Sequence, residues 1–258
     1  MVHTLNMVHL KVVPDDRRER TRELKRQRIL DAAGAVIDRE GLAGLTMQAV
    51  ADQLDCAVGT LYTAFRSKAE LVAALQSDAV ATLERSYRTG RAHWDEDLAG
   101  EDVGDSTRPL VELLAHAGFL VAAAVVYPDE IALVRELLGE APPTAPPLER
   151  SLAGELLPVL HRTLDPVVGR LGDAVDAQSL QPGDPVSRAL VWHAALLGVL
   201  RLERLAPVDR HLFRAAPLAR SLAEALLVGW GADADEVEVA STWVERLTAR
   251  GPLAPPPE

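Results

Sequence analysis

Residues 57–71 read Ala-Val-Gly-Thr-Leu-Tyr-Thr-Ala-Phe-Arg-Ser-Lys-Ala-Glu-Leu, and this stretch decides the fold of the first part of the chain. Val58, Leu61 and Phe65 recur at helical spacing, which predicts a short helix over the first nine residues. The Ser-Lys-Ala-Glu segment at 67–70 has the spacing of a capping box, in which serine and glutamate satisfy free backbone N–H groups. The stretch therefore predicts a short helix that is followed at once by a long one, which we expect to end near Arg91.

Two further helices are predicted upstream of this stretch. Apolar residues between positions 29 and 37 form one stripe of a helix over about 23–40, and Gly41 supplies its C-terminal stop. Thr46 is a candidate N-cap for a second short helix that ends near Leu54. The two short helices together have the size of a helix-turn-helix, a motif in which the second helix lies in the major groove of DNA.

The side of the third helix that faces away from its apolar residues carries only small or hydroxyl-bearing side chains. These residues are Ala57, Gly59, Thr60 and Thr63. Such side chains allow close contact with thymine methyl groups and base edges. The helix also contains no acidic residue, as expected for a segment that lies opposite phosphates.

Together these segments resemble the signature of the tetracycline-repressor (TetR) family of bacterial transcription regulators. The matching segments occur in the family's order and spacing, at residues 29–33, 41–42, 45–51 and 57–71. The resemblance covers about residues 24–75. It implies an all-α fold, in which a helix-turn-helix domain precedes a larger helical domain for effector binding and dimerisation.

The chain departs from the family pattern in the turn between the two short helices. Family members often carry Gly-Val-Ser there, whereas this chain has Asp55, Cys56 and Ala57. Aspartate tolerates left-handed backbone better than most residues, so we expect the turn to form. We expect Cys56 to be a small buried side chain, with a redox sensor as the alternative interpretation. As the single cysteine, it excludes an internal disulfide.

The resemblance also implies roles for individual residues. Thr46 would offer its hydroxyl to a phosphate, Tyr62 its phenol to the sugar–phosphate backbone, and Lys68 its charge to another phosphate. The residues that would lie against the bases are Ala57, Val58, Gly59, Thr60 and Thr63. Those that would reach neighbouring phosphates or the minor groove are Arg22, Lys25 and Arg26. A packed aromatic ring at position 62 and a merely solvated lysine at position 68 are the alternatives.

Charge is distributed unevenly along the chain. The net charge is −11, which alone would argue against a nucleic-acid partner. However, residues 1–70 carry 11 basic and 10 acidic side chains, while the remaining residues carry 16 and 28. An anion-binding surface is therefore expected near the N-terminus, where residues 11–28 hold eight basic side chains.

Composition predicts an all-α protein with a substantial core. Hydrophobic residues make up 48% of the chain, strong helix formers dominate, and we find no alternating strand pattern of useful length. We expect further helices near 107–127, 128–139, 148–177, 185–205, 217–230 and 235–249. A surface loop is expected over 95–105 and a stiff connector over 140–147. The predicted organisation is a flexible basic arm (1–22), a helix-turn-helix domain (23–71), an effector-binding and dimerisation domain (72–250) and a disordered tail (251–258).

The resemblance implies that the larger region binds a small molecule and forms a homodimer. The candidate residues for the effector pocket are His116, Phe119, Tyr127, His161, Trp192 and His193. An apolar pocket with few polar groups favours a lipophilic effector. The candidate residues for the dimer interface are Leu190, Ala194, Leu197, Leu226, Trp230 and Trp243. Ordinary core packing within one subunit is the alternative for both sets.

These observations predict a sequence-specific regulator, and specifically a ligand-responsive repressor that binds a pseudo-palindromic double-stranded DNA operator as a homodimer. A helix-turn-helix activator without ligand sensing is one alternative, and an all-α scaffold or enzyme is another. We find no catalytic motif, phosphate loop or metal-ligand cluster, so we predict no enzyme activity, no cofactor and no metal. The longest uncharged stretch, Leu113–Pro128, is short for a bilayer span. We therefore expect a soluble cytoplasmic protein without a membrane partner.

Overall fold

The computed structural model describes residues 16–137 and 150–256 of the 258-residue chain. Within these ranges the regular elements are all helices, which confirms the predicted all-α fold. The helices are α1 (Asp16–Gly44), α2 (Met47–Gln53), α3 (Val58–Tyr62), α4 (Lys68–Ala99), α5 (Thr107–Val126), α6 (Pro128–Leu137), α7 (Arg150–Asp176), α8 (Pro185–Leu202), α9 (Ala215–Gly229) and α10 (Ala234–Arg250). The chain divides into two compact units, Met1–Val72 and Ala73–Glu258.

The first unit packs α1, α2 and α3 around a small apolar core. The stripe predicted on α1 is buried, and it meets buried residues of the two short helices. The core residues of this unit include Ile29, Ala33, Val36, Ile37, Leu45, Val50, Ala51, Leu61, Phe65 and Leu71. Gly41 breaks α1 with a φ of +70°, a left-handed conformation that suits glycine because it lacks a Cβ atom.

In the second unit, α5 lies at the centre of the core. It packs against α6, α7, α8, α9 and α10, while α8 also packs against α7 and α9. Among the described residues, α5 is the one helix that is long and apolar enough to cross a membrane, and 61% of that stretch is buried within the protein. A helix that is apolar on nearly all sides is expected at the centre of such a bundle.

An ion-pair network around the buried Glu112 joins α5 to its neighbours. The Glu112 carboxylate on α5 contacts Arg108 at 3.6 Å, Arg91 of α4 at 4.0 Å, and Arg170 of α7. Arg170 also pairs with Asp173 at 3.1 Å. A buried carboxylate is tolerated only when it is paired, and these arginines supply the pairing.

Residues 251–256, which we call the C-terminal strap, pack on the second unit. Leu253 and Ala254 are buried. The carbonyl oxygen of Pro255 accepts hydrogen bonds from the Ser86 hydroxyl at 2.9 Å and from the Tyr127 hydroxyl at 2.7 Å. The predicted disordered tail is therefore wrong for residues 251–256, because apolar burial and two hydrogen bonds hold this segment in place.

Three other predictions need correction or lie outside the described residues. Helix α4 continues to Ala99, so the start of the expected loop over 95–105 is helical: the apolar faces of Trp94 and Leu98 are buried there. Residues 16–22 of the predicted flexible arm belong to α1, which begins at Asp16. This part of the chain consists mostly of strong helix formers. The rest of that arm and the predicted connector over 140–147 lie outside the described residues.

Candidate DNA-binding surface and effector region

The first unit contains two short helices joined by a tight turn. Thr46 caps α2, and its Oγ1 atom accepts a hydrogen bond from the Ala49 N–H group at 3.0 Å. In the turn, Asp55 adopts a φ of +50°, the left-handed conformation expected for this position. The Cys56 N–H group donates to the Ala51 carbonyl at 3.0 Å and closes the turn. The pair has the arrangement of a helix-turn-helix.

Cys56 is half-buried rather than fully buried, which corrects the prediction. It lines a cleft of about 310 Å³ between α1 and the two short helices, together with Leu24, Leu54 and Leu61. The cleft leaves part of the thiol side chain uncovered, and sequence alone does not reveal such a packing gap.

Helix α3 presents its small residues to solvent and its large apolar residues to the core. Leu61 and Phe65 are fully buried, and Val58 is half-buried. The candidate contacts on the outward side are exposed: Ala57, Gly59, Thr60 and Thr63. Tyr62 is 49% exposed, and the space around a Cβ atom at Gly59 is open. This side of α3 can therefore approach another surface closely.

The beginning of α4 is also exposed and is fixed by a capping box. The Glu70 N–H group donates to the Ser67 hydroxyl oxygen at 3.1 Å, and the Glu70 carboxylate accepts from the Arg66 N–H group at 2.7 Å. Lys68, in the first turn, is exposed like Thr46 at the start of α2. Arg66, which is not among the predicted contacts, is a further candidate: its side chain is 86% exposed next to this turn and lies 3.5 Å from Glu70. Its signal was a basic residue directly before the capping box.

Two candidate contacts, Lys25 and Thr63, hydrogen-bond to each other. The Lys25 Nζ atom donates to Thr63 Oγ1 at 2.7 Å, and the Thr63 hydroxyl donates to the Thr60 carbonyl at 2.7 Å. These bonds join α1 to the C-terminal end of α3. Arg22, one turn earlier on α1, is exposed. Among the three basic residues predicted before α2, Arg22 therefore has the most accessible side chain.

The Arg26 side chain is held within the first unit. Its guanidinium donates to the Ala64 carbonyl at 2.7 Å, lies 4.2 Å above the Phe65 ring, and approaches Glu70 at 3.8 Å. These three contacts join α1 to the segment between α3 and α4. The geometry therefore favours a positioning role over the predicted DNA contact, because a phosphate would have to compete with partners already in place.

In the second unit, the rings of Tyr87, His116, Phe119 and His193 form an aromatic cluster. The Tyr87 ring lies 5.3 Å from His116 and 5.2 Å from Phe119, and His116 lies 5.4 Å from His193. Trp192 Nε1 donates to His116 Nδ1 at 3.3 Å, and His193 Nδ1 contacts the Ala189 carbonyl at 2.9 Å. The cluster borders a cavity of about 50 Å³.

Burial controls the protonation of this cluster. Burial, and secondarily the neighbouring His193, lowers the pKa of His116 well below 6.5. Burial also lowers the pKa of His193 to about 4, although its bond to the Ala189 carbonyl acts in the opposite direction. Burial raises the pKa of Tyr87 to about 12. All three groups are therefore neutral at pH 7 and offer hydrogen bonds rather than charge.

The predicted pocket residues separate into three groups. His116, Phe119 and His193 line the small cavity. Tyr127 and Trp192 are buried but do not line this cavity. Tyr127 contacts the C-terminal strap, and Trp192 lies in the core. His161 is exposed on α7 and does not line this cavity, because α7 turns that position toward solvent.

The predicted interface residues also separate by exposure. Leu190 is 42% exposed, and Ala194, one turn further along α8, is exposed too. Leu197 is only 5% exposed, so its assignment to the interface is wrong: it faces the core of its own subunit and lines the small cavity. Leu226, Trp230 and Trp243 are half-buried and pack against that core.

A family model described as "Bacterial regulatory proteins, tetR family" matches residues 29–75. Among curated proteins, the repressor KstR of Mycolicibacterium smegmatis is 46% identical over 185 residues, which cover 68% of this chain and 76% of that protein. KstR of Mycobacterium tuberculosis is 50% identical over 48 residues, and KstR of Rhodococcus jostii is 43% identical over 58 residues. The chain matches only 22% and 27% of the lengths of these last two relatives.

Solved structures share the fold along most of the chain. RolR in complex with resorcinol superposes with a TM-score of 0.56 at 18% identity, and the match covers 93% of this chain and 98% of RolR. A protein of unknown function from Rhodococcus sp. RHA1 gives a TM-score of 0.54 at 20% identity, covering 81% of this chain and 95% of that one. The family model and the long match to KstR of M. smegmatis agree with the helix-turn-helix of the first unit. The chain therefore belongs to the TetR family of bacterial transcription regulators.

Proposed function

We propose that the protein is a ligand-responsive transcriptional repressor that binds a pseudo-palindromic DNA operator as a homodimer. The observation that carries this proposal is the outward side of α3, where small side chains and Tyr62 are exposed, together with the exposed Lys68 in the first turn of α4. Family membership and the KstR repressors among its relatives support the same activity. No membrane partner is proposed, and a repressor that acts on chromosomal DNA belongs in the cytoplasm.

In this proposal, α3 enters the major groove and its neighbours hold the phosphates. Gly59 and Thr60 approach base edges, where their small size permits close contact. Tyr62 donates its phenolic hydrogen to a phosphate, while Lys68 supplies charge. The Thr46 hydroxyl oxygen already accepts from α2, and its hydrogen remains able to reach a phosphate.

Dimer formation is proposed because a single helix-turn-helix makes few contacts. Two copies read half-sites about 34 Å apart, which matches one turn of DNA. The exposed side of α8 offers a stripe for pairing, with Leu190, Val191, Ala194 and Gly198 within three turns of one another. Small residues on this stripe permit close helix packing.

Response to a ligand follows from differential binding to two conformations of the dimer. An effector that prefers the DNA-free conformation lowers operator affinity by its preference ratio. RolR, which shares the fold, was solved with resorcinol, and this supports small-molecule binding. A thermal-shift screen with the purified protein distinguishes this proposal from a helix-turn-helix activator without ligand sensing.

To test this function, genomic DNA fragments are first selected with the purified protein. The affinity for a selected duplex is then measured by fluorescence anisotropy at several salt concentrations. Lys68→Ala should lower affinity for specific and non-specific duplexes alike and reduce the salt slope by about one per subunit. Tyr62→Phe should weaken binding at least about fivefold, since a hydrogen bond to a charged group is lost.

Arg88→Ala, an exposed arginine of α4 in the second unit, is the matched control and should leave binding unchanged. Failure to enrich any fragment, or equal salt slopes for Lys68→Ala and the parent protein, contradicts the proposed function.

A further inference from the structure

The second unit contains a cavity that neither the sequence nor the family comparison indicated. It has a volume of about 470 Å³ and lies between the C-terminal part of α5, α9 and α10. Residues 251–254 of the C-terminal strap form one of its walls. Small-molecule sites in proteins have volumes of about 300–1,000 Å³, so this cavity has the size of a ligand site.

The cavity beside His116 and His193 is much smaller. Its volume of about 50 Å³ has room for a water molecule or two, which each take roughly 30 Å³ of liquid volume. Three of the six sequence-based candidates for the effector pocket, His116, Phe119 and His193, line this smaller cavity. The larger space borders a different face of α5, lined by Val121, Ala122 and Val125.

The larger cavity is lined mainly by aliphatic side chains, and its three polar side chains already have partners. Arg220 of α9 pairs with Glu245 of α10. The Ser241 hydroxyl donates to the Glu224 carboxylate at 2.6 Å, and the Thr248 hydroxyl donates to the Val244 carbonyl at 2.8 Å. A charged ligand would lose its hydration against this mainly aliphatic lining, whereas an uncharged apolar ligand gains from burial alone.

The wall formed by the strap is held by dedicated contacts on α4 and α5. A Cβ atom at Gly90 would lie 2.6 Å from the Leu253 carbonyl oxygen, and one at Gly118 would lie 2.5 Å from Leu253 Cδ1. Both helices therefore carry a glycine where the strap approaches. With the two hydroxyl bonds to Pro255, these glycines make the strap a fixed boundary of the cavity.

From its size, lining and fixed wall, we propose that this cavity binds a small, uncharged, predominantly apolar molecule. This proposal rests on the proposed function. It places the effector site in this cavity and not in the smaller one beside His116 and His193. The occupant is a single small molecule. The strap contacts the ligand through Leu253 on one side and contacts α4 through Gly90 and Ser86 on the other.

The test uses two fluorescent probes that differ mainly in charge. N-phenyl-1-naphthylamine is uncharged, while 8-anilinonaphthalene-1-sulfonate carries a sulfonate on a similar frame. We expect one site per chain for the uncharged probe and at least about tenfold weaker binding of the anionic probe. Equal affinity for the two probes overturns the assignment to an uncharged ligand.

Two matched variants of α10 locate the site. Thr248 lines the cavity and Thr242 does not, yet both are exposed and both bond the carbonyl four residues earlier. Thr248→Trp should weaken binding of the uncharged probe at least about tenfold, while Thr242→Trp should leave it unchanged. Ala122→Trp fills the cavity from α5 and should behave like Thr248→Trp. Unchanged probe binding in both cavity variants overturns the proposal.

The oligomeric state and DNA binding complete the test. If Thr248→Trp turns a dimer into a monomer in light scattering, the face is an interface between copies and the proposal is wrong. A parent protein that binds the selected duplex but no uncharged probe overturns the cavity assignment alone. A protein that binds the probe in the cavity but selects no DNA supports the site and overturns the proposed regulator.

Discussion

His193 shows how a single buried residue links packing to pH. Burial lowers the pKa of this imidazole to about 4, and the pKa of His116 is lowered as well. Below pH 6.5 the unfolded chain therefore binds more protons than the folded chain. The stability contributed by the neutral imidazoles is complete above that pH, and it is lost as the pH falls toward 4.

We expect the free energy of unfolding to fall on the order of 2 kcal/mol between pH 7.5 and pH 5 through His193 alone. His193→Gln should remove that share of the pH dependence, measured by urea unfolding at both pH values. His161→Gln replaces an exposed histidine of α7 and should retain the parent slope. If the unfolding free energy of His193→Gln depends on pH as strongly as that of the parent protein, His193 does not cause the pH dependence.

Sequence predicted individual residues well where one helix determines their side. Leu61 is buried and Thr60 is exposed because the spacing within α3 fixes which side faces the core. Sequence could not predict the surroundings of Arg26 and Leu197, because these come from other parts of the chain. Arg26 meets Ala64, 38 residues later, and no periodicity within α1 encodes that contact.

At the scale of elements, the junction of α4 and α5 with the strap is the least expected feature. Proline-rich composition predicted a disordered tail, yet Leu253 is buried against two helices that each lack a side chain at the contact. The helices themselves were predictable from capping and apolar spacing: α8, for example, begins at Pro185 after the Asp184 N-cap. The position of the strap was not predictable from sequence, because its hydrogen-bond partners, such as Tyr127, lie more than 120 residues earlier in the chain.

Gly90→Ala should destabilise the protein by roughly 1–3 kcal/mol, because the added Cβ atom meets a backbone carbonyl that cannot rotate away. Gly169→Ala in α7 is the control: nothing lies within 4 Å of its Cβ position, so alanine should stabilise by about 0.4–1 kcal/mol. The urea midpoints of both variants provide the measurement. Equal shifts in the two variants would mean that the strap is not held tightly at α4.

At the scale of the whole molecule, the charge imbalance suits a protein that binds DNA through its first unit. Residues 1–70 carry a net charge of +1, and the rest of the chain carries −12. An acidic second unit repels the phosphate backbone, so long-range electrostatics favour approach through the first unit. Sequence alone gave this asymmetry, because summing charges requires no knowledge of packing.

The exposed stripe on α8 is where we expect two subunits to pair. Ala194→Glu places a charge on an exposed position among apolar residues, and burying it between two subunits would be costly. We expect a monomer in light scattering and at least about tenfold weaker binding to the selected duplex. Val208→Glu changes a residue that is 80% exposed between α8 and α9, and it should remain a dimer with parent affinity. A dimeric Ala194→Glu protein would place the interface elsewhere.

The central position of α5 has a consequence for synthesis on the ribosome. Its core partners α9 and α10 are translated late, since about 120 residues separate the end of α5 from the end of α10. At 5–20 residues per second, α5, the most apolar of the described helices, is synthesised roughly 6–25 s before these partners are complete. During that interval the nascent polypeptide exposes a sticky surface, and chaperone capacity should therefore govern the yield of soluble protein.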